Sequence, residues 1–313
     1  MSAPEVAEHY NQVKETGLKE REKSRIFFLR NMNNWVKSNL INEVTQQLRA
    51  NKIFNPHILD LACGKGGDLL KWNKSFAAKV TMIDVADVSI EQAKGRYQEL
   101  RNRNNRIFPA EFHVADCTKI DIGSLLSEST QFDLVSCQFA LHYSFIDESS
   151  ARTFLKNAVG HLKPGGVFIG TLPDADRIVW AVRNGVDGLF SNDVCSIKYE
   201  NPEELADGRS PPLFGAKFHF TLDSQVNCPE FLAYFPLLQL LLEEMDMELM
   251  YMRSFPDAIK NWITNPEAMR LLQVMKATEV YPPSHGAPSS EREDAYDDAK
   301  EFIKTLGEGR HSV

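Results

Sequence analysis

Apolar residues repeat with two different periods along the chain, and the change of period separates helices from strands. Between residues 29 and 48, six apolar residues recur every three or four positions, as they do on one face of an amphipathic helix. They are Leu29, Met32, Val36, Leu40, Val44 and Leu48. This spacing predicts a long N-terminal helix that follows the polar residues 1–25.

Short β-rich runs come next, and helix-like segments separate them. The runs are 57–61, 80–84, 111–116, 132–138 and 167–171, with helical patterns at about 88–103 and 148–162. Strands that alternate with helices are typical of an α/β fold with a doubly wound, mainly parallel sheet. We therefore predict that architecture, in the Rossmann-like arrangement.

The alternation stops after Pro173, and about seventy residues precede the next predicted strand, Met247–Phe255. We predict an inserted α+β segment between them. Within it, Phe214–Phe220 alternates apolar and polar positions like a half-buried strand. Phe231–Met245, opened by Pro229 and Glu230, predicts a helix with proline in its first turn. Residues 281–298 predict a mobile loop and residues 294–306 a last short helix.

The length, composition and net charge of the chain limit the class of protein. The chain has 313 residues, of which 43% are hydrophobic, enough to bury a full core. A net charge of −8 argues against a protein that coats nucleic acid without specificity, because such binding needs a basic surface. We predict one domain over 1–313, divided into an N-terminal helical segment (1–50), a core (51–173), an insertion (174–246) and a C-terminal part (247–313).

Cysteine spacing and hydropathy narrow the class further. The five cysteines are odd in number and never form a C-x-x-C pair, so we predict reduced core thiols and no metal site. The first thirty residues contain no apolar signal segment, and the apolar run 231–242 is too short to cross a bilayer. The sequence predicts a soluble intracellular protein without a membrane partner.

A glycine-rich turn follows the first predicted strand, as Leu59-Asp-Leu-Ala-Cys-Gly-Lys-Gly-Gly-Asp-Leu-Leu-Lys-Trp72. No Ser or Thr follows Gly-Lys, so it is not a phosphate-binding P-loop. Ala62 occupies a glycine position of the dinucleotide fingerprint. The remaining pattern, D-x-G-x-G-x-G, is that of class I methyltransferases, which bind S-adenosylmethionine. We expect Ala62 to be tolerated there if its φ is negative.

Acidic residues end the next two predicted strands. Asp84 lies twenty residues after Gly64, where a carboxylate can accept hydrogen bonds from ribose hydroxyls; it could equally cap the end of its strand. Asp116 could receive the adenine amino group or only form a turn. The carboxyl ends of parallel strands meet at one edge, so we expect these residues and Gln138, His142 and Tyr143 to converge.

Several longer segments resemble one family, the eukaryotic mRNA cap guanine-N7 methyltransferases. The likeness runs from about His9 to Met275. Its segments are 28–37 (FLRNMNNWVK), 63–72 (CGKGGDLLKW), 84–89 (DVADVS), 137–145 (CQFALHYSF), 212–215 (PLFG) and 229–238 (PEFLAYFPLL). The resemblance implies transfer of the methyl group of S-adenosylmethionine to N7 of the terminal guanosine of GpppN-RNA. It also implies that no residue acts as a catalytic acid or base, because N7 has no proton to lose.

The resemblance assigns residues to two groups of contacts. The residues implied for the cofactor are Lys37, Ala62, Asp84, Asp116, Gln138 and Tyr143. Those implied for the substrate are Asn33, Asn34, Lys65, Lys71, Arg96, His142 and Glu230. In this scheme the cations meet the triphosphate and Glu230 accepts hydrogen bonds from guanine. The residues alone also permit solvated lysines, a core Tyr143, a buried structural His142 and a Glu230 that stabilises a helix N-terminus.

Other expectations rest on the family. A final hydrophobic strand pairs with the segment at 247–255 there, and we find none in this sequence, so we expect lowered stability or activity from an open sheet edge. The resemblance also implies a nuclear enzyme, with an activating subunit and the RNA polymerase II transcription machinery as partners. Two alternatives remain open: a methyltransferase for another RNA or a small molecule, and a noncatalytic form that binds cap or RNA.

Overall fold

The computed structural model describes residues 24–223 and 225–279, together with residues 8, 9, 11, 12, 22, 296, 297, 300, 301 and 304. The predicted loop at 281–298 lies outside the described residues except for 296 and 297. The predicted helix at 294–306 is described only at scattered positions. Four of these, 297, 300, 301 and 304, are helical.

Eight α-helices and nine strands are described, with three short 3-10 helices at Ile122–Leu125, Leu141–Ile146 and Pro202–Gly208. The helices are α1 (Phe27–Ala50), α2 (Leu69–Lys74), α3 (Asp87–Arg103), α4 (Glu148–Val159), α5 (Ala175–Arg183), α6 (Phe235–Glu243), α7 (Phe255–Trp262) and α8 (Pro266–Val274). The strands are β1 (His57–Leu61), β2 (Lys79–Asp84), β3 (Ala110–Val114), β4 (Phe132–Gln138), β5 (Leu162–Thr171), β6 (Leu189–Ser191), β7 (Cys195–Tyr199), β8 (Lys217–Leu222) and β9 (Val226–Phe231).

The first five strands form one parallel sheet in the order β3-β2-β1-β4-β5. Helices cover both faces, and accordingly every residue but one in each of β1, β2 and β4 is buried. The chain order reverses between β1 and β4, and ligands of such sheets bind in the crevice at that point. The doubly wound α/β prediction is confirmed, and α1 confirms the N-terminal helix. The chain continues as strand from Leu162, so α4 ends earlier than the predicted helix.

The four remaining strands form an antiparallel sheet in the order β6-β7-β8-β9. Ala216, Phe218 and Tyr199 on one face are buried against Ile178 and Val182 of α5. This sheet falls within the predicted insertion, and β8 covers most of the strand predicted at Phe214–Phe220. It brings β9 beside the turn that leaves β4.

Pro229 and Glu230 do not open a helix, so that prediction is wrong. Both lie in β9, opposite His219 and Phe218 of β8. β9 is an edge strand, where a proline without an N–H group is tolerated. The helix begins later, at Phe235, with Pro236 in its first turn.

The predicted strand Met247–Phe255 is also wrong. Residues 247–254 are irregular and Phe255 begins α7. No described strand lies beside them to form a ladder, so their apolar residues are not enough to make a strand. Side chains hold the segment to α1 instead: Arg253 pairs with Glu43 at 3.2 Å. Among the described residues, no helix has both the length and the apolar character that crossing a bilayer requires.

Candidate active site

The end of β4 leads directly into the crevice. Gln138, its last residue, donates a hydrogen bond to Ser136 Oγ at 3.0 Å and accepts one from Thr171 Oγ1 at 3.0 Å. The amide is therefore fixed between the ends of β4 and β5. The next residue, Phe139, has φ +59°, a conformation that costs a bulky residue energy and is concentrated at functional sites.

A buried carboxylate faces this exit. Glu230 Oε1 accepts a hydrogen bond from the Tyr143 hydroxyl at 3.0 Å, and Glu230 Oε2 lies 3.1 Å from His142 Nε2. The imidazole is close but not aligned for a hydrogen bond. Glu230 is 5% exposed and His142 2%. A carboxylate so deeply buried needs a hydrogen-bond donor, and Tyr143 supplies one from across the crevice.

The turn that carries His142 and Tyr143 is anchored on both sides. Gly215 donates its backbone N–H to the Phe145 carbonyl at 2.9 Å, and the rings of Phe145 and Phe214 stack at 5.7 Å. The conformation of this turn thus depends on the insertion. The two parts of the chain assemble one pocket.

The glycine loop after β1 winds through left-handed conformations. The φ angles are +52° at Ala62, +53° at Gly64 and +71° at Gly66. Ala62 therefore does not have the negative φ under which we expected it to be tolerated. Its left-handed backbone conformation costs about 1–2 kcal/mol relative to an unstrained position. Gly66 could not be replaced by alanine without a steric clash, because a Cβ there would lie 2.8 Å from Leu69 Cδ1 and 3.2 Å from Ala93 Cβ.

The two strand-end carboxylates both hold local backbone. Asp84 Oδ2 accepts the N–H of Gly64 at 2.7 Å and Oδ1 that of Ala86 at 2.8 Å. Burial raises the pKa of Asp84, while these backbone hydrogen bonds act in the opposite direction. Asp116 Oδ1 accepts from the N–H and the hydroxyl of Thr118, at 3.0 and 2.6 Å. Both carboxylates therefore make the contacts that a purely structural role requires. Each oxygen of Asp84 keeps a lone pair for a ligand, whereas on Asp116 Oδ1 already accepts two hydrogen bonds and Oδ2 lies 3.1 Å from Lys119 Nζ.

Two lysines meet at one carboxylate beside the loop. Lys37 Nζ of α1 lies 2.9 Å from Asp68 Oδ2, and Lys71 Nζ of α2 lies 2.7 Å from Asp68 Oδ1. Lys71 Nζ also lies 3.4 Å from Asn34 Oδ1. The three charged side chains are 8–14% exposed. This cluster has one more positive than negative charge and is suited to an anionic ligand.

The other predicted residues line the same edge with less definite contacts. Asn33 is half-buried on α1, one turn before Lys37. Arg96 of α3 donates to the Lys65 carbonyl at 2.9 Å, which ties α3 to the glycine loop. Of the thirteen predicted site residues, the direct contacts group three with Glu230 at the centre and three around Asp68. The first group consists of Glu230, His142 and Tyr143. The second consists of Lys37 and Lys71, which contact Asp68, and of Asn34, which contacts Lys71.

Sequence reasoning missed two features of the site. Asp68 follows the glycine pair directly, and its position before α2 was the available signal. Asp60, within the D-x-G-x-G-x-G pattern, was given no role, yet its Oδ2 accepts from Trp72 Nε1 at 2.8 Å. Burial, and then the charge of Asp68, raise the pKa of Asp60.

Comparison with known proteins identifies the family. Residues 2–299 match the model of the mRNA (guanine-N(7))-methyltransferase domain. An mRNA cap guanine-N(7) methyltransferase of Caenorhabditis elegans is 58% identical over 98% of this chain and 82% of its own length. That of Drosophila melanogaster is 42% identical over 89% of this chain and 66% of its own. With nearly the whole chain matched, the protein belongs to the mRNA cap guanine-N7 methyltransferase family.

Proposed function

We propose that this chain methylates N7 of the guanosine that caps GpppN-RNA by direct in-line displacement, with no residue acting as acid or base. As a family member it is an S-adenosylmethionine-dependent mRNA guanine-N7 methyltransferase. When bound, S-adenosylmethionine supplies an electrophilic methyl group on a sulfonium. Guanine N7 is an acceptor with a free lone pair. The residues of the chain therefore need only bind, orient and exclude water.

The observation that carries this proposal is the buried Glu230 at the exit of β4. A guanine base presents two adjacent donors, N1–H and the exocyclic amino group, and a carboxylate can accept both. The hydroxyl of Tyr143 holds this carboxylate by a hydrogen bond, and His142 lies beside it. Holding the base in one orientation beside the methyl donor can lower the barrier by roughly 7–11 kcal/mol.

The residues present fit the cofactor. The surplus positive charge of the Lys37–Asp68–Lys71 cluster suits its carboxylate, for which we assign Lys37. Asp84 is assigned to the ribose hydroxyls, Asp116 to the adenine amino group, and Ala62 to contact through its backbone. Gln138 and Tyr143 are assigned to its flanks. The glycines beside Ala62 leave room for close approach of backbone and ligand.

We assign the rest of the edge to the capped RNA. Lys65, Lys71 and Arg96 face a chain of phosphates in this proposal, since each brings a cation to the loop or the adjoining helices. Asn33 and Asn34 contribute amide groups from α1 to the cap. His142 and Glu230 bind the guanine. An activating subunit, the RNA polymerase II transcription machinery and a nuclear location are further proposals that follow from the family resemblance.

The pH dependence of single-turnover methyl transfer tests the mechanism. With cofactor and capped RNA saturating, we expect the rate constant to change less than about twofold between about pH 6 and pH 9, because no base must lose a proton. His142→Gln replaces the imidazole beside Glu230 by an amide that cannot act as a base. We expect a lower rate with the same flat profile. A rate that follows one ionisation in wild type and loses it in His142→Gln would make His142 a base.

A further inference from the structure

The contact of two lysines with one buried acid joins the two subsites of the proposed function. Lys37 is assigned to the carboxylate of the cofactor and Lys71 to the phosphates of the cap. Asp68 contacts both, Lys37 at 2.9 Å and Lys71 at 2.7 Å. Its own side chain is 8% exposed, so solvent screens these contacts little.

The cluster cannot serve two anions as well as it serves one. Two lysines and Asp68 sum to one positive charge. A first anion brings this sum to zero, and a second makes it negative. Asp60 does not offset the surplus fully, because burial and Asp68 raise its pKa and favour its protonated form. A first anion therefore removes most of the attraction available to the second.

Asp68 transmits the effect from one lysine to the other. When an anion occupies Lys37, the carboxylate of Asp68 is repelled from it and remains with Lys71. The positive charge that Lys71 offers to phosphate is then neutralised more completely. The same holds in reverse, because coupling between two binding sites is reciprocal.

We propose that Asp68 is a positioning residue through which the carboxylate of the cofactor and the phosphates of the cap weaken each other's binding. The proposal rests on the subsites assigned above to Lys37 and Lys71. It gives Asp68 a consequence for turnover: each bound product weakens the binding of the other, which favours release of both products over their retention in a ternary complex.

The test measures binding of the cap dinucleotide GpppG to the full chain, alone and with saturating S-adenosylhomocysteine. A parallel titration uses 5′-methylthioadenosine, which has the adenosine and the thioether but no carboxylate. We expect S-adenosylhomocysteine to weaken GpppG binding roughly five- to tenfold and methylthioadenosine to leave it within about twofold. Equal effects of the two compounds, or none from either, would overturn the proposal.

Asp68→Asn separates the acid from direct repulsion between the two ligands. We expect the effect of S-adenosylhomocysteine to fall below about twofold in this variant, and to remain in Asp121→Asn, a control at an exposed aspartate paired with Lys156. An undiminished effect in Asp68→Asn would contradict the role of Asp68. If this variant does not fold, Lys71→Met decides: GpppG should bind more weakly and no longer respond to S-adenosylhomocysteine, and a retained response overturns the proposal.

Different results would defeat the proposed function and the coupling through Asp68. Failure of GpppG or S-adenosylhomocysteine to bind at all would defeat the proposed function. Binding of both with independent affinities would leave the function intact and defeat only the coupling through Asp68.

Discussion

The hydroxyl of Tyr143 donates a hydrogen bond to Glu230 Oε1 at 3.0 Å, joining residues 87 positions apart. Tyr143 follows β4 of the parallel sheet, and Glu230 belongs to the edge strand of the second sheet. This contact therefore exists only when the second sheet docks on the parallel sheet. Several consequences can be measured.

Replacement of Glu230 by Gln should impair recognition of the cap more than stability. The variant keeps the shape of the side chain but removes the charge and one acceptor from the group that we propose meets two guanine donors. Hydrogen bonds to charged groups contribute about 1.5–3 kcal/mol, so kcat/KM for capped RNA should fall roughly 10- to 100-fold. Steady-state kinetics with capped RNA measures this. Glu200→Gln, at a half-exposed acid paired with Lys217, should keep the wild-type value. Equal values for the two variants would contradict the role of Glu230.

Two glycine substitutions should have opposite effects on stability. Gly66→Ala puts a Cβ into Leu69 and Ala93 at a positive φ, so we expect a loss of more than about 1 kcal/mol in the free energy of unfolding. Gly95 lies within α3, and a methyl group there would meet no described atom within 4 Å beyond the adjoining helix backbone. Gly95→Ala should therefore raise stability by up to about 1 kcal/mol. Urea unfolding compares the two. A loop that tolerates Gly66→Ala without cost would show that its conformation differs from the one described.

Ala62→Gly should relieve backbone strain beside the cofactor. The left-handed conformation costs alanine about 1–2 kcal/mol, and the extra freedom of glycine in the unfolded chain offsets about 0.4–1 kcal/mol of the gain. We expect the free energy of unfolding to rise by roughly 0.5 kcal/mol. Thermal and urea unfolding of the two proteins measure the difference. A clear loss of stability would mean that the alanine methyl group makes contacts that outweigh the strain.

The buried Asp60 should make stability depend on pH. Burial, and then Asp68, raise the pKa of Asp60 in the folded protein, so the folded state holds a proton that the unfolded state loses above about pH 4. Its contribution to stability is present below that pH and declines as pH rises toward the folded pKa. The Asp60→Asn variant has no proton to lose here, so it lacks this contribution to stability. Its Oδ1 can still accept a hydrogen bond from Trp72. Relative to this variant, wild type should lose at least about 1 kcal/mol between about pH 5 and pH 8. Parallel pH profiles would speak against a proton on Asp60.

Much of the parallel sheet and its cofactor edge could be predicted, because each piece left a local signal. The repeat of apolar residues located α1, and short β-rich runs located β1, β2 and β4. Residues at strand ends then had to meet at one edge. The insertion was harder to predict: β6 has three residues and β7 five, too few for a clear period. Pro229 suggested a helix because its position at a sheet edge is not visible in the sequence.

The details of the site depended on contacts across the chain. Asp68 meets Lys37 only because α1 and the glycine loop pack together 31 positions apart. Phe139 adopts its positive φ where its N–H is held by the Thr171 carbonyl at 2.9 Å. Neither feature leaves a recognisable pattern in the sequence around it. The strand prediction for Met247–Phe255 was wrong for the same reason, since a strand requires a neighbouring strand as well as a suitable composition.

The location of the transferred methyl group tests the central claim most directly. The chain is supplied with methyl-labelled S-adenosylmethionine and with GpppG-RNA, pppG-RNA or free GTP, and the RNA products are digested to nucleosides. The account predicts label at N7 of the cap guanosine of GpppG-RNA, with little or none in pppG-RNA or GTP. Label on another atom, or equal labelling of capped and uncapped RNA, would contradict it.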